Sequence, residues 1–267
     1  MIQCLHSIQD ISVQYETGDL PVLVLCSDGQ QYICKYMRPN ATIAYKLACE
    51  FIGAVFADAW RINTPPFALI QIKPEHWASL STPHSYSTPT IGFRKIDGVI
   101  DVTPTTYQQV KAGKQALYQL LKIALFDFWI ANEDRTYNNA NLLYQLENNA
   151  IVSIDYGGLL NNVSFDYPPT QLTETDSILR ADIFAHIASR ITDEQLNNAV
   201  NHLQKDYQGC LLRAKEQILQ LANMPNEWNV PTSKIQAKMD ELFSEKWTKD
   251  TWTNFVECLK QNSSYGR

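Results

Sequence analysis

Apolar and polar positions alternate over Ile11-Ser12-Val13-Gln14-Tyr15 and again from Gln31 to Met37, and Pro21 to Leu25 between them is rich in β-formers. Three strands are therefore predicted to open the chain. Ser27-Asp28-Gly29-Gln30 has the Asp-Gly pair of a hairpin turn, and Thr17-Gly18-Asp19-Leu20 links the first two strands, giving an antiparallel sheet. The period then changes. Ile43, Leu47, Phe51, Val55 and Ala59 recur at helical spacing, which predicts a helix starting at Ala41, capped by Asn40 and running to about Trp60. Thr64-Pro65-Pro66 breaks it. Phe67 to Ile72 and Thr90 to Ile96 are further strands, separated by a Pro- and Ser-rich loop carrying His76, Trp77 and His84 and followed by an Asp97-Gly98 turn.

From about Pro104 the pattern is helical. Leu117, Leu120, Leu121, Ala124, Leu125 and Phe128 form one apolar stripe that leads into a polar stretch beginning at Asn132. Two short apolar segments follow, with a polar turn, Glu147-Asn148-Asn149, between them; Asp155 ends the second, just before Gly157. After a loop from Asn161 to Thr170, helices are expected near 178–190, 193–223 and 234–260, with Trp228 and Pro231 packing the last of them onto the body. The fold class is α+β in two lobes. A small antiparallel β-rich lobe with one helix spans 1–100, a larger helical lobe spans 101–267, and the junction falls near 97–104.

A chain of 267 residues, 45% hydrophobic and 19% charged, is a globular protein with ample material for a core. The net charge of −6 argues against nucleic acid or an anionic membrane as the main partner. No apolar run reaches membrane-spanning length, and the N-terminus shows no signal-peptide pattern, so a cytoplasmic protein is expected. The six cysteines show no C-x-x-C spacing and are expected to be reduced thiols.

The candidate chemistry lies in the polar stretch. Asp134 and Asn139 stand five positions apart, and Asp155 with Gly157 completes a D-x-x-x-x-N followed by D-x-G pattern. Phosphoryl transfer from Mg-ATP needs such a set: one carboxylate to orient and deprotonate a hydroxyl, then an amide and a second carboxylate to hold the metal. Either half alone is a common polar loop. Lys35, in Tyr32-Ile33-Cys34-Lys35-Tyr36, supplies a cation from an earlier strand. Alternation groups it with Ile33 and Met37, opposite Tyr32, Cys34 and Tyr36, where an anion would have to meet it. Glu50, embedded among apolar helix residues fifteen positions on, can position that lysine. The bland alternative is a lysine at a sheet edge and a Lys46–Glu50 pair along the helix. Gly18 lies in the loop that would cover phosphates, or in a simple tight turn.

These stretches together resemble the HipA-like kinases, distant relatives of the phosphatidylinositol 3/4-kinases. The resemblance is carried by P-V-L-V-x-x-x-D-G-x-x-Y-I-C-K-Y at 21–36, L-A-C-E-F-I-G-A at 47–54, T-P-P-F-A-L-I-Q-I at 64–72, N-E-D-R-x-x-x-N-A-N-L-L at 132–143 and S-I-D-Y-G-G at 153–158. It implies a two-lobed protein-kinase-like fold that uses ATP and Mg²⁺ to phosphorylate Ser or Thr of a protein. Lys35 would hold the phosphates, Glu50 would position it, Asp134 would be the base, and Asn139 and Asp155 would hold metal. The strand Thr90–Ile96 and the turn after it would supply the adenine hinge. Toxin-type members carry an N-terminal subdomain without a counterpart in this stretch, which leaves a toxin–antitoxin-type partner open. They usually have a His two positions after the base, where Thr136 stands, and often a Lys before the metal Asn, where Asn138 stands. Arg135 beside the base resembles the lipid-kinase D-R motif. A nucleotide-binding regulatory module (a pseudokinase) and a small-molecule kinase of lipid or aminoglycoside type are the alternatives.

Overall fold

The computed structural model describes residues 2–37, 41–77 and 89–264; the expected cap Asn40 and His84 lie outside the described residues. Six strands form the first sheet: β1 (Gln3–His6), β2 (Val13–Gln14), β3 (Val22–Leu25), β4 (Gln31–Lys35), β5 (Phe67–Gln71) and β6 (Thr90–Arg94), in the order β1-β5-β6-β4-β3-β2. The expected antiparallel sheet is corrected to a mixed one. β2, β3, β4, β6 and β5 pair antiparallel, but β1 runs parallel to β5, with Cys4 opposite Leu69. β1 escapes the pattern because it is a short edge strand, mostly exposed, with no apolar alternation to mark it.

The alternation expected for β4 is observed. Tyr32, Cys34 and Tyr36 are buried in a cluster with Val22, Val24, Ile70 and Trp77, while Ile33, Lys35 and Met37 are only half-buried. Lys35 therefore faces α1 (Ala41–Ala59) rather than the sheet's own cluster. α1 is buried nearly all round from Leu47 to Ala57, which explains why its sequence is apolar on every side. At its end Trp60 stacks on Trp129 of α2 (Lys114–Ile130), with ring centroids 5.2 Å apart. The largest core runs continuously from α1 through α2 into the C-terminal helices.

A second, antiparallel sheet of β7 (Val99–Asp101), β8 (Leu142–Gln145) and β9 (Ala150–Ser153) frames the polar stretch after α2. After β9, the short α3 (Leu159–Val163) has left-handed backbone at Leu160, Asn161 and Asn162. Left-handed turns of L-residues cost about 1–2 kcal/mol per residue. Here Asn161 compensates by bonding Glu133 at 2.6 Å and clasping the backbone of Thr170 on both sides.

The remaining helices are α4 (Asp182–Ala188), α5 (Asp193–Glu216), α6 (Thr232–Leu242) and α7 (Glu245–Ser264). The expected 178–190 and 193–223 helices each have a flanking 3-10 turn. The expected 234–260 helix is two. Ser244 interrupts it, and its hydroxyl accepts the Trp247 N–H at 3.2 Å as a cap for α7. Trp228 is fully buried and donates to the Pro89 carbonyl, joining this region to the sheet.

Candidate active site

β4 and α1 together place a charged cluster under the β2–β3 loop. Lys35 Nζ contacts Glu50 Oε1, sits 2.8 Å from Asp155 Oδ1 and 3.4 Å from Asp19 Oδ2. Glu50, 1% exposed, uses its other oxygen to accept the Tyr156 backbone N–H at 2.9 Å. α1 can approach this segment closely because of Gly53, where a Cβ would lie 2.3 Å from Tyr156 Cβ. Lys35, Glu50 and Asp155, far apart in sequence, thus meet at one point.

Asp155 adopts φ of +60°, a strained conformation for a non-glycine residue, and its carboxylate accepts the Gly157 N–H at 3.2 Å. The next residue, Gly158, is what brings the second loop in. A Cβ there would fall 2.4 Å from Asp134 Cβ, so glycine is required by the close approach. Asp134 is exposed and accepts Asn139 Nδ2 at 3.2 Å and Asn141 Nδ2 at 3.1 Å, one amide on each carboxylate oxygen.

Behind this loop lies a buried ion pair. Arg135, fully buried, places Nε 2.8 Å from Asp127 Oδ2. Its guanidinium donates to the carbonyls of Ala140, Asn141 and Ile154, tying the Asp134 loop to the strand end that precedes Asp155. Asn132 donates to Asp127 at 2.9 Å and accepts the Asp134 N–H. α2 ends at Ala131 in the left-handed conformation, which turns the chain sharply into this loop.

The charges follow from this packing. Burial opposes the Lys35 ammonium, but Glu50 and Asp155 outweigh it and hold its pKa well above the usual lysine range. Burial pushes Glu50 above the glutamate range against the pull of Lys35. Burial also disfavours ionised Asp155, yet Lys35 and the Gly157 N–H hold it below the usual carboxylate range. Burial raises Asp127 to about 6 despite Arg135 and Asn132.

Among the described residues no three His, Cys, Asp or Glu side chains gather as a metal-ligand group. The donors available are mixed: the carboxylate of Asp155 and the oxygen of Asn139, whose nitrogen is committed to Asp134. Carboxylate and amide oxygens in an acid-rich setting fit Mg²⁺, which keeps much of its shell as water and phosphate.

A family model for HipA-like kinases matches residues 8–252. The chain belongs to the HipA-like kinase family. No curated protein matches the sequence of this kinase. Among solved structures, it is similar to the Helicobacter pylori proinflammatory kinase CtkA, at 10% identity and a TM-score of 0.46, with 99% of each chain covered. It is also similar to the Golgi casein kinase with Mn/ADP bound, at 10% identity and a TM-score of 0.48, covering 97% of this chain and 74% of that one. Membership rests on the family match. Among the described residues no helix of the kinase is long and apolar enough to cross a membrane.

Of the residues singled out in the sequence, Lys35, Glu50 and Asp155 are in direct contact, while Asp134, to which Asn139 donates, lies against Gly158, three positions after Asp155. Gly18 is exposed in the β2–β3 loop, where a Cβ would meet nothing within 4 Å. Its neighbour Asp19 is the residue that reaches the lysine. Sequence reasoning also missed Asn141 and Asp127. The signals were present: a second Asn in Asn139-Ala140-Asn141, and a carboxylate inside the apolar stripe of α2.

Proposed function

We propose that this kinase transfers the terminal phosphoryl group of Mg-ATP to a serine or threonine hydroxyl of a protein. The observation that carries the proposal is the contact of Lys35 with both Glu50 and Asp155, which joins the sheet-bearing part of the chain to the loops of the helical part. In this reading Lys35 binds the phosphates, and Glu50 holds the lysine in place. Asp134 orients the acceptor hydroxyl and takes its proton as the oxygen attacks phosphorus. Asn139 and Asp155 hold the metal, which when bound neutralises charge on the phosphates. Asn141 and Asn139 keep the Asp134 carboxylate in one orientation. The loop containing Gly18 covers the phosphates, and β6 with the turn after it lies against the adenine. The lobes divide near residues 97–104.

A protein acceptor is favoured by the openness of the base. Asp134 and Asn139 are exposed, so a hydroxyl carried on a protein segment can reach the base from solution. The test is transfer of labelled phosphate from Mg-ATP onto a mixture of proteins or, separately, onto small hydroxyl compounds. Wild type is expected to label protein Ser or Thr. Asp134→Ala and Asp155→Ala should lose at least about 100-fold of that activity while melting like wild type. Label on metabolites alone would replace the acceptor class, and full transfer by both variants would remove the residue roles.

A further inference from the structure

Asp19 occupies an unusual place in the charged cluster. It lies in the β2–β3 loop, and its carboxylate bridges two amines: Oδ2 is 3.4 Å from Lys35 Nζ and Oδ1 is 3.4 Å from Lys46 Nζ. Both contacts are longer than the roughly 2.7–2.9 Å of a tight charge-assisted bond. Lys46 stands on α1 one turn before Glu50, on the same side of the helix, and is 40% exposed. The two lysines therefore flank a position that already holds one small anion, supplied by the protein's own loop. Lys35 is at the same time in contact with Glu50 and Asp155, so among the described residues three carboxylates share these two amines. A phosphate entering there competes with the Asp19 carboxylate for the two amines.

Resting on the nucleotide-binding reading above, we propose that Lys46 is a second phosphate-binding cation and that Asp19 is a displaceable stand-in, holding both amines until nucleotide phosphates replace it. The carboxylate keeps Lys46 directed at the phosphate position before nucleotide arrives, at the cost of competing with it. Lys46 binds only phosphate in this scheme and has no part in proton transfer.

The experiment is calorimetric titration of the full chain with Mg-ATP, comparing wild type, Lys46→Gln, Lys46→Arg and Asp19→Asn, with thermal melting to check that each is folded. Removing the Lys46 charge should raise Kd about tenfold, as expected for one charged hydrogen bond. Lys46→Arg should stay within about threefold of wild type, because the charge is kept. Asp19→Asn should bind about threefold or more tightly, because a partly exposed competitor has gone. Unchanged binding in Lys46→Gln overturns the inference. So does unchanged or weaker binding in Asp19→Asn; the weaker case would place Asp19 among the groups that favour the bound metal. Absence of Mg-ATP binding by folded wild type is a separate outcome, which removes the nucleotide site itself and this inference with it.

Discussion

Asp127→Asn deletes a buried charge while keeping an oxygen toward Arg135, and its effect on stability should grow as the pH falls. Asp127 is 1% exposed and its partner Arg135 is fully buried, with Nε and Oδ2 2.8 Å apart. Burial dominates: the carboxyl is raised from 3.8 to about 6 although Arg135 opposes the shift. Between those two values the folded protein binds a proton that the unfolded chain has released. Wild-type stability from this group therefore rises as pH drops from about 6 toward 4 and is lost again as pH climbs through 6. A difference of about two units corresponds to roughly 3 kcal/mol. The variant lacks this titration, and the other carboxylates are shared by both proteins and cancel in the difference. At neutral pH, removing one partner of a buried pair costs about 3–5 kcal/mol, with asparagine expected near or below the lower end because it still accepts a hydrogen bond. Equilibrium urea unfolding of both proteins at intervals from pH 7.5 to 4.5 measures the gap directly. It should widen by about 2–3 kcal/mol on acidification. A gap that narrows would mean that attraction to Arg135 outweighs burial, and the reasoning would be refuted.

Gly158→Ala should reduce phosphate transfer at least about 100-fold and cost about 1–3 kcal/mol of stability, because the new Cβ would sit 2.4 Å from Asp134 Cβ and push the base loop aside; transfer near the wild-type rate would contradict that contact. Lys35→Met should weaken Mg-ATP binding about tenfold or more in a titration, since it leaves Glu50 and Asp155 facing each other without a cation. Native protein at pH 8 should release about one equivalent of product with a thiol-reactive disulfide, from exposed Cys4. Burial raises Cys26 to about 12 and Cys210 and Cys258 to about 11, and pushes Cys34 and Cys49 up as well. Two or more fast equivalents would show that a buried thiol is accessible.

Much of this architecture was legible because its signals were periodic or strongly local. The helical spacing from Leu47 to Ala59 marked α1, the stripe from Leu117 to Phe128 marked α2, and the alternation around Lys35 assigned that side chain to the face it occupies. Glu50 was conspicuous for the same reason: a carboxylate among core residues needs a cation, and Lys35 supplies it. What was not legible depends on long-range geometry. β1 is defined by its parallel neighbour β5 rather than by its own residues. The left-handed turn at Leu160–Asn162 includes two asparagines that tolerate that conformation singly, but Leu160 does not favour it, and the run is held by contacts to Glu133 and Thr170. The clamp formed by Asp127 and Arg135 was hidden because each residue has an ordinary local explanation, one as a polar position in a helix and the other as a neighbour of the base. The bend at Ser244 could have been seen, since a serine followed by Glu245 is a helix-start signal.

In the proposed phosphoryl transfer, Lys35, Asp134, Asn139 and Asp155 surround a single metal–triphosphate. A crystal structure with Mg²⁺ and a non-hydrolysable ATP analogue measures this directly. A metal is expected about 2.0–2.1 Å from oxygens of Asp155 and Asn139, with the Lys35 amine on the phosphates. Nucleotide bound elsewhere, or a metal that avoids both side chains, would contradict it.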